Sequence, residues 1–196
     1  MPTQTTLHSF DSLEESWDAL VPECDVKAFF LSHDWQRLWW DSFGEGRELL
    51  LLAFHQANEN VGIAPMQRQD DVISFLGDTD LFDFHDFIIP QGKEASFYPV
   101  LEDYLTNQTW QQLYFPSLSH ASPTLEYLPQ MAERQGWQCL VEQEDVSPTL
   151  TLPVDWDTYL SGLRKKDRHE LRRKFRRLEA ADGFEPKVYT NPEDVA

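Results

Sequence analysis

The sequence predicts a mixed α/β (α+β) fold in which a mostly antiparallel sheet is flanked by helices. Apolar runs separated by short polar turns lie between residues 49 and 76, which is the pattern of an antiparallel meander. Helical periodicity occurs both before and after this region. Aromatic residues make up 13% of the chain, which is enough to build a core despite a net charge of −18. A layered architecture around one sheet accommodates all three observations.

Two helices are predicted before the meander. Residues 12–20 have a helical pattern, and Ser32 is a suitable N-cap for a helix over residues 33–43 that ends at Gly44. Four apolar residues of the second helix recur at spacings of three and four, and we interpret them as its core face. They are Trp35, Leu38, Trp39 and Phe43.

Three strands are predicted for the meander itself. Residues 49–56 are mostly apolar, which is typical of a strand that is buried on both faces. A turn at 58–60 leads to a returning strand at 61–68, where Pro65 indicates a bulge or an edge because proline cannot donate to a ladder. The third strand is predicted at 72–76.

Helices and strands alternate after the meander. The acidic and aromatic segment 78–86 is too polar for a central strand and is predicted to be a loop. Extended structure at 87–90 precedes a helix at 94–105, a strand at 110–115 and a helix at 124–135.

The last quarter of the sequence is predicted to contain one long helix. Short strands at 139–142 and 149–152 lead to this helix at 155–181, and a last strand follows at 186–189. A lone final strand needs a partner, so we expect the chain to be the front part of a longer protein.

Charge is divided unevenly along the chain. Residues 1–160 carry six basic and 27 acidic side chains, whereas residues 161–196 carry ten basic and seven acidic ones. Nine of the basic residues fall on the predicted long helix: Arg164, Lys165, Lys166, Arg168, Arg172, Arg173, Lys174, Arg176 and Arg177. This division indicates that the helix faces an anionic ligand, a nucleic acid or the acidic body of the protein itself.

The basic helix has three interpretations. It can be a solvated helix in which Asp167 and Glu170 pair locally with basic neighbours. It can bind phosphates or pyrophosphate, for which arginine has suitable forked donors. No nucleic-acid partner is expected, because no known DNA-binding motif accompanies the helix and the acidic remainder would repel a phosphate backbone.

A second candidate site is the cluster of Asp83, His85 and Asp86. A histidine between carboxylates can act as a general base, since a carboxylate orients the imidazole and makes it more basic. The same residues can hold a metal, although their spacing is not a recognisable zinc pattern. The alternative is an ordinary acidic surface loop.

Other catalytic motifs do not occur in the sequence. It contains no G-x-S-x-G, no P-loop and no G-x-G-x-x-G. Cys24 and Cys139 are far apart and are expected to be buried free thiols, which fits a reducing cytoplasm. No signal peptide is recognised, and the apolar runs are too short for a transmembrane segment. A cytoplasmic location is therefore expected.

Five segments, taken in order, resemble a known family: FLSHDWQRLWWDSFG, LLLLAF, VGIAPM, ISFLGDTDLFDFHDFIIP and SPTLTLPVDWDTYLSGLRKKDRHELRRKFRRLEAADGF. The chain is similar to GNAT-type acyltransferases of the CelD/BcsL-like group linked to cellulose biosynthesis, and more distantly to FemAB-type aminoacyl transferases. The resemblance covers nearly the whole chain and implies two GNAT-like halves in tandem. Residues 1–150 would be the first half, and residues 151–196 the connecting basic helix and first strand of an incomplete second half.

The resemblance implies transfer of an acyl group from acyl-CoA (acetyl-CoA) to an amine or hydroxyl of a small-molecule or saccharide-type acceptor, without a metal. Asp83, His85 and Asp86 would contact the acceptor or supply the base. Four arginines would hold anionic groups of the cofactor or substrate: Arg164, Arg168, Arg172 and Arg173.

One feature of that family is not found in these residues. The pyrophosphate loop of the form Gln/Arg-x-x-Gly-x-Gly/Ala does not occur, so a missing C-terminal GNAT-like half is expected as the partner. The chain alone is then expected to lack a full acyl-CoA site. The alternative function is a non-catalytic binding module that uses the basic helix to hold an anionic ligand or partner.

Overall fold

The chain forms a mixed α+β structure that divides into two compact units, Met1–Glu144 and Asp145–Ala196. The computed structural model describes residues 4–56, 59–181, 183, 185, 187–191 and 193. The first unit contains the sheet, and the second contains two helices. Each unit is described separately.

The sheet of the first unit has five strands, which lie in the order in which they occur along the chain. They are β1 (Gln4–Leu7), β2 (Glu48–Gln56), β3 (Glu59–Gln69), β4 (Val72–Phe75) and β5 (Gln112–Tyr114). The first three pairings are antiparallel, and the pairing of β4 with β5 is parallel. The predicted, mostly antiparallel sheet is therefore confirmed.

Four α-helices accompany this sheet. They are α1 (Phe10–Leu20), α2 (His33–Phe43), α3 (Glu94–Thr106) and α4 (Thr124–Gln135). The parallel pair requires a crossover, because a tight hairpin can join only antiparallel strands. The chain segment between β4 and β5, which includes α3, provides that crossover.

Both faces of the sheet are covered by helices. Side chains of β2 alternate between two core clusters: Leu50, Leu52 and Phe54 join residues of α3 and α4, whereas Leu51 and Ala53 join residues of α1 and α2. All five are almost fully buried. This two-sided burial explains why the strand is a continuous apolar run, and each buried leucine contributes about 1.5–3 kcal/mol.

The predicted helix at 33–43 is confirmed, but its predicted core face is partly wrong. The Ser32 side chain accepts a hydrogen bond from the Trp35 amide at 3.4 Å, as expected of an N-cap. Trp39 is buried and Trp35 is half-buried. Leu38 and Phe43, however, are 61% and 52% exposed.

Two polar residues of α2 take the buried positions instead. His33 and Gln36 are each 1% exposed, and both find backbone partners. His33 Nε2 lies 3.0 Å from the Phe10 carbonyl oxygen, and Gln36 donates to the Phe30 carbonyl oxygen at 3.3 Å. Hydrogen bonding offsets the cost of burying these groups, and it rotates the inner face of the helix away from Leu38.

The prediction of a bulge or an edge at Pro65 is wrong. Pro65 lies in the central strand β3 opposite Leu51, and the irregularity of this pair occurs at Phe54/His55. The Pro65 carbonyl accepts from the Leu76 amide at 3.0 Å, just beyond the ladder with β4. The N–H and C=O of a strand residue point to the same side. The N–H that Pro65 lacks would therefore face the β4 side, at a position where regular pairing with β4 has ended.

The second unit has two helices where one was predicted. They are α5 (Trp156–Gly162) and α6 (Lys165–Glu179), and Leu163 and Arg164 between them have extended backbone. Asp155 caps α5 by accepting from the Thr158 amide at 2.7 Å. The single long helix at 155–181 is therefore wrong, because the chain turns after Gly162 instead of continuing its helical repeat.

Three of the predicted short strands are not found. Segments 139–142 and 149–152 are not strands in the structure, and nearly all of their side chains are exposed. Within 186–189, residues 187–189 form no strand, and Pro186 lies outside the described residues. Asn58 of the turn predicted at 58–60 also lies outside them, and the other two residues of that turn belong to β3. Among the described helices, none is both long and apolar enough to cross a bilayer.

Candidate functional site

A cleft of about 340 Å³ lies along β4 and beside the carboxyl ends of β4 and β5. Val72 and Ser74 of β4 line it, because they alternate with Ile73, which is buried under the sheet, and Phe75 lines it at the end of the strand. The carboxyl ends of parallel strands are a frequent location of ligand sites. The polar lining of the cleft consists mainly of Arg47, Gln67, Ser74, Asp78, His85 and Tyr114.

His85 is the most unusual residue of this cleft. It is 2% exposed, and its ring stacks on Phe82 at 4.6 Å and on Phe75 at 5.6 Å. Neither ring nitrogen has a hydrogen-bonding partner among the described residues. An unpaired buried polar group costs about 1–3 kcal/mol, so a partner supplied by a ligand would remove a real penalty.

Burial also changes the acid–base behaviour of His85. It lowers the pKa of the imidazole from 6.5 to about 4, and the nearby Asp78 opposes the shift only in part. His85 is therefore neutral at pH 7 and able to accept a proton. A general base requires this neutral form, but a pKa of about 4 makes His85 less basic than an ordinary histidine, contrary to the expectation that neighbouring carboxylates make it more basic.

Gly77 stands directly against the His85 ring. A Cβ at this position would lie 2.7 Å from His85 Nε2 and 2.8 Å from the Phe82 ring, and the backbone has a φ of +120°. Only glycine meets both conditions, because other residues rarely adopt this conformation. The turn that covers the imidazole therefore presents backbone atoms and no side chain to Nε2.

The remaining polar groups of the cleft hold one another in place. Arg47 donates to Gln67 Oε1 at 3.2 Å and lies 5.2 Å from the centroid of the Trp39 ring. Trp39 Nε1 donates to Asp78 Oδ2 at 2.8 Å, and Gln67 Nε2 donates to the Gly77 carbonyl at 2.8 Å. This network is preorganised for donor and acceptor contacts with a polar ligand.

Asp86 belongs to a different environment from His85. It is 3% exposed, and its Oδ1 accepts from Thr124 Oγ1 at 2.5 Å and from the Phe87 amide at 2.9 Å. Tyr98 extends this network, since its hydroxyl lies 2.8 Å from Thr124 Oγ1. Burial raises the pKa of Asp86 to about 6, although hydrogen bonds from Ser122, Thr124 and Phe87 act in the opposite direction.

The three residues Asp83, His85 and Asp86 are not joined into one site. Asp83 is exposed, whereas Asp86 is bonded to Thr124 and His85 has no polar partner. Consecutive residues of extended chain point in opposite directions, which separates His85 from Asp86. His85 alone of the three lines the cleft.

The four predicted anion-binding arginines also differ in their surroundings. Arg164 pairs with Asp167 at 2.8 Å, and Arg173 pairs with Glu170 at 2.7 Å. Both pairs connect residues three apart on α6, which is the local pairing considered for a solvated helix.

Arg168 and Arg172 complete the set. Arg168 donates to the carbonyl oxygens of Ser161 at 3.0 Å and Leu160 at 3.4 Å, so it satisfies acceptors at the end of α5. The Arg172 side chain forms no hydrogen bond or ion pair with the described residues, and it lines a groove of the second unit. Arg172 is therefore the one of the four that is available to a ligand.

Metal-ligand geometry is not found in the part of the chain that the structure describes. No group of three or more His, Cys, Asp or Glu side chains is arranged there to hold an ion. Cys24 is a buried free thiol, and burial raises its pKa to about 12, so it is protonated at neutral pH. Cys139 is also free but exposed, which corrects the expectation that both thiols are buried.

Several residues of the cleft were not identified from the sequence. Gln67 carried a weak signal, because it is the first polar residue after the apolar run 61–66 of β3. Arg47 and Asp78 carried no such signal, since they lie in loops 31 residues apart and are brought near each other by contacts with Trp39. Comparison of the chain with family models, curated proteins and solved structures finds no match.

Proposed function

We propose that the chain is the first GNAT-like half of an acyltransferase, and that its cleft receives the amine or hydroxyl that accepts the acyl group. The observation that carries this proposal is the neutral His85 imidazole, buried in the cleft wall with both nitrogens unpaired. The sequence resemblance and the mostly antiparallel sheet flanked by helices are in agreement with it.

His85 acts as the base in this proposal. Both His85 nitrogens are covered and Gly77 stands against Nε2, so in this proposal the Gly77 turn moves aside when the acceptor binds. The acceptor then gives its N–H or O–H proton to the imidazole, and its lone pair attacks the acyl carbonyl. Acyl-CoA supplies an activated thioester, whose C–S bond breaks as the new bond forms. The low pKa of His85 favours return of the proton to the departing sulfur.

The polar network of the cleft orients the acceptor. Arg47 and Gln67 offer donors, whereas Asp78 and Asp70 offer carboxylate acceptors. These charged groups leave the cleft with more negative than positive charge, so it does not fit the pyrophosphate of acyl-CoA. It fits a neutral or cationic acceptor with several hydrogen-bonding groups, such as an amine or a saccharide.

The test is acetyl transfer from acetyl-CoA to a panel of amines and sugars, with the wild-type protein and the His85→Gln variant. We expect His85→Gln to lower turnover by a factor of about 10²–10⁴, the usual contribution of a general base. His120→Gln, at an exposed histidine of the same unit, is the matched control and should retain activity. Both measurements use the full-length protein with its second GNAT-like half, because the chain alone is expected to lack a full acyl-CoA site. Absence of acetyl-CoA binding to that protein by calorimetry, at concentrations well above micromolar, would refute the proposal.

A second candidate function is a non-catalytic module that holds an anionic ligand on α6. The unpaired Arg172 side chain favours it, because this contact requires no chemistry in the cleft. Ligand binding without turnover, unaffected by His85→Gln, would support this candidate instead.

A further inference from the structure

A groove of about 570 Å³ lies between α5 and α6 of the second unit. Trp156, Leu160 and Phe175 form its apolar side, and the Trp156 and Phe175 rings meet nearly edge to face at 5.4 Å. Trp156 is 51% exposed although Leu160, one turn further along α5, is buried. Aromatic surface is thus presented to solvent beside the most charged helix of the chain.

Basic side chains of α6 also line this groove. His169, Arg172 and Arg176 are spaced by three and four residues, so they share one face of α6. Arg176 Nε donates to the Arg172 carbonyl at 3.4 Å, and its two terminal nitrogens have no partner among the described residues. The forked donors of both arginines are therefore available to a phosphate.

Some of the neighbouring basic residues are paired. Arg173 bonds to both Glu170 oxygens, at 2.7 and 3.1 Å, and Arg164 at the start of α6 bonds to Asp167. Three others, Lys165, Lys166 and Arg177, form no ion pair with the described residues. The groove is therefore distinguished by the aromatic surface beside its unpaired arginines, and not by unpaired charge alone.

Acidic residues also line the groove and restrict what it can bind. Asp157 and Glu179 reduce its net charge, so a simple polyanion gains little there from long-range attraction. A ligand that also uses the aromatic surface gains affinity from both contacts. A nucleobase can stack on such an aromatic side chain, whatever the base.

We infer that this groove binds a phosphorylated nucleoside, with the base against Trp156 and Phe175 and the phosphates against Arg172 and Arg176. The inference rests on these four side chains and does not depend on acyl transfer in the first unit. Arg168 takes no part, because its guanidinium is bonded to the end of α5.

Calorimetric titration of the whole chain with ADP tests the inference. We expect ADP to bind, and Arg172→Ala to weaken its binding about tenfold through loss of a charge-assisted contact. Arg173→Ala is the matched control: it removes the same charge from the adjacent position, where the side chain is already paired, and should change affinity by less than about twofold.

Adenosine and inorganic pyrophosphate test the base contact and the phosphate contact separately. Each should bind at least about tenfold more weakly than ADP, because each lacks one of the two contacts. Trp156→Leu should weaken ADP binding about tenfold while leaving pyrophosphate binding unchanged. Circular dichroism of each variant verifies that the helices remain folded.

Three results would overturn the inference. The first is that ADP fails to bind. The second is that Arg172→Ala and Arg173→Ala weaken ADP binding equally, which would indicate diffuse attraction to a basic helix. The third is that pyrophosphate binds as tightly as ADP, which would indicate that no base is recognised.

Discussion

The Thr124 hydroxyl donates a hydrogen bond of 2.5 Å to the buried carboxylate of Asp86. Because this hydroxyl has a single proton, the Tyr98 hydroxyl at 2.8 Å has to be the donor in its own bond with Thr124. The three groups form a directed chain that ends on Asp86. This hydrogen-bonded chain joins the segment between β4 and α3 to both α3 and α4, so it contributes to the stability of the first unit.

Thr124→Val should destabilise the protein by about 2–4 kcal/mol. The variant has nearly the same volume, but it removes the donor to Asp86 and the acceptor of Tyr98 inside a buried site. Urea unfolding measures the loss. Thr106→Val, where the hydroxyl bonds a helix carbonyl at the surface, is the control and should lie within about 0.5 kcal/mol of wild type.

Asp86 and His85 should have opposite effects on stability as pH changes. The pKa of Asp86 is raised from 3.8 to about 6, so its stabilising effect is fully present below pH 3.8 and is lost as pH rises towards 6. The pKa of His85 is lowered from 6.5 to about 4, so its stabilising effect is present above pH 6.5 and is lost as pH falls towards 4.

Single variants separate these two effects. Relative to wild type, Asp86→Asn should gain stability as pH rises from 4 to 6, and His85→Gln should lose stability over the same range. Each difference should approach about 3 kcal/mol, since one pKa unit corresponds to about 1.4 kcal/mol. Urea midpoints measured between pH 4 and pH 7 give both slopes, and parallel curves for wild type and variants would contradict the assignment.

Gly77→Ala should destabilise the protein by more than a substitution at an unconstrained glycine. The new methyl group would meet the His85 and Phe82 rings in addition to the unfavourable φ of +120°. Gly46→Ala, at a φ of +78° with open space around it, measures the backbone cost alone. We expect the Gly77 variant to lose about 1–3 kcal/mol more in thermal unfolding, which is the usual cost of overpacking.

Arg168→Ala should loosen the end of α5 without changing the first unit. Arg168 satisfies the carbonyls of Leu160 and Ser161, and loss of such an interaction costs about 1 kcal/mol. Hydrogen exchange at the Leu163 amide, which bonds the Leu160 carbonyl, should become faster. Arg164→Ala removes only an exposed ion pair and should leave this exchange rate unchanged.

The parts of the fold that could be predicted are those with strong local signals. The apolar run of β2 and the cap at Ser32 each have a direct physical cause in a few adjacent residues. The orientation of α2 could not be predicted, because it depends on carbonyl partners of His33 and Gln36 that are distant in the chain. Likewise, periodicity alone did not reveal the break after Gly162.

The candidate site could be predicted only in part for a similar reason. A histidine flanked by acidic residues is visible in the sequence, but the burial that makes His85 neutral arises from Phe75 and Phe82. Sequence spacing placed Asp83 and Asp86 beside it, whereas Asp83 is exposed and the extended backbone directs Asp86 towards Thr124. Whether one of the four arginines is available to a ligand depends on its partners within the protein. Glu170 pairs with Arg173, and a carbonyl at the end of α5 accepts from Arg168.

The strand order also has a consequence for how the chain assembles. β2 and β3 are neighbours in the chain as well as in the sheet, so little loop-closure entropy opposes their pairing. β1 and β5 each reach their partner across a long stretch of chain: 47 residues separate Thr6 from Ala53, and 40 separate Val72 from Gln112. The β2–β3 hairpin is therefore the natural folding nucleus, and the two outer strands are expected to join after the transition state.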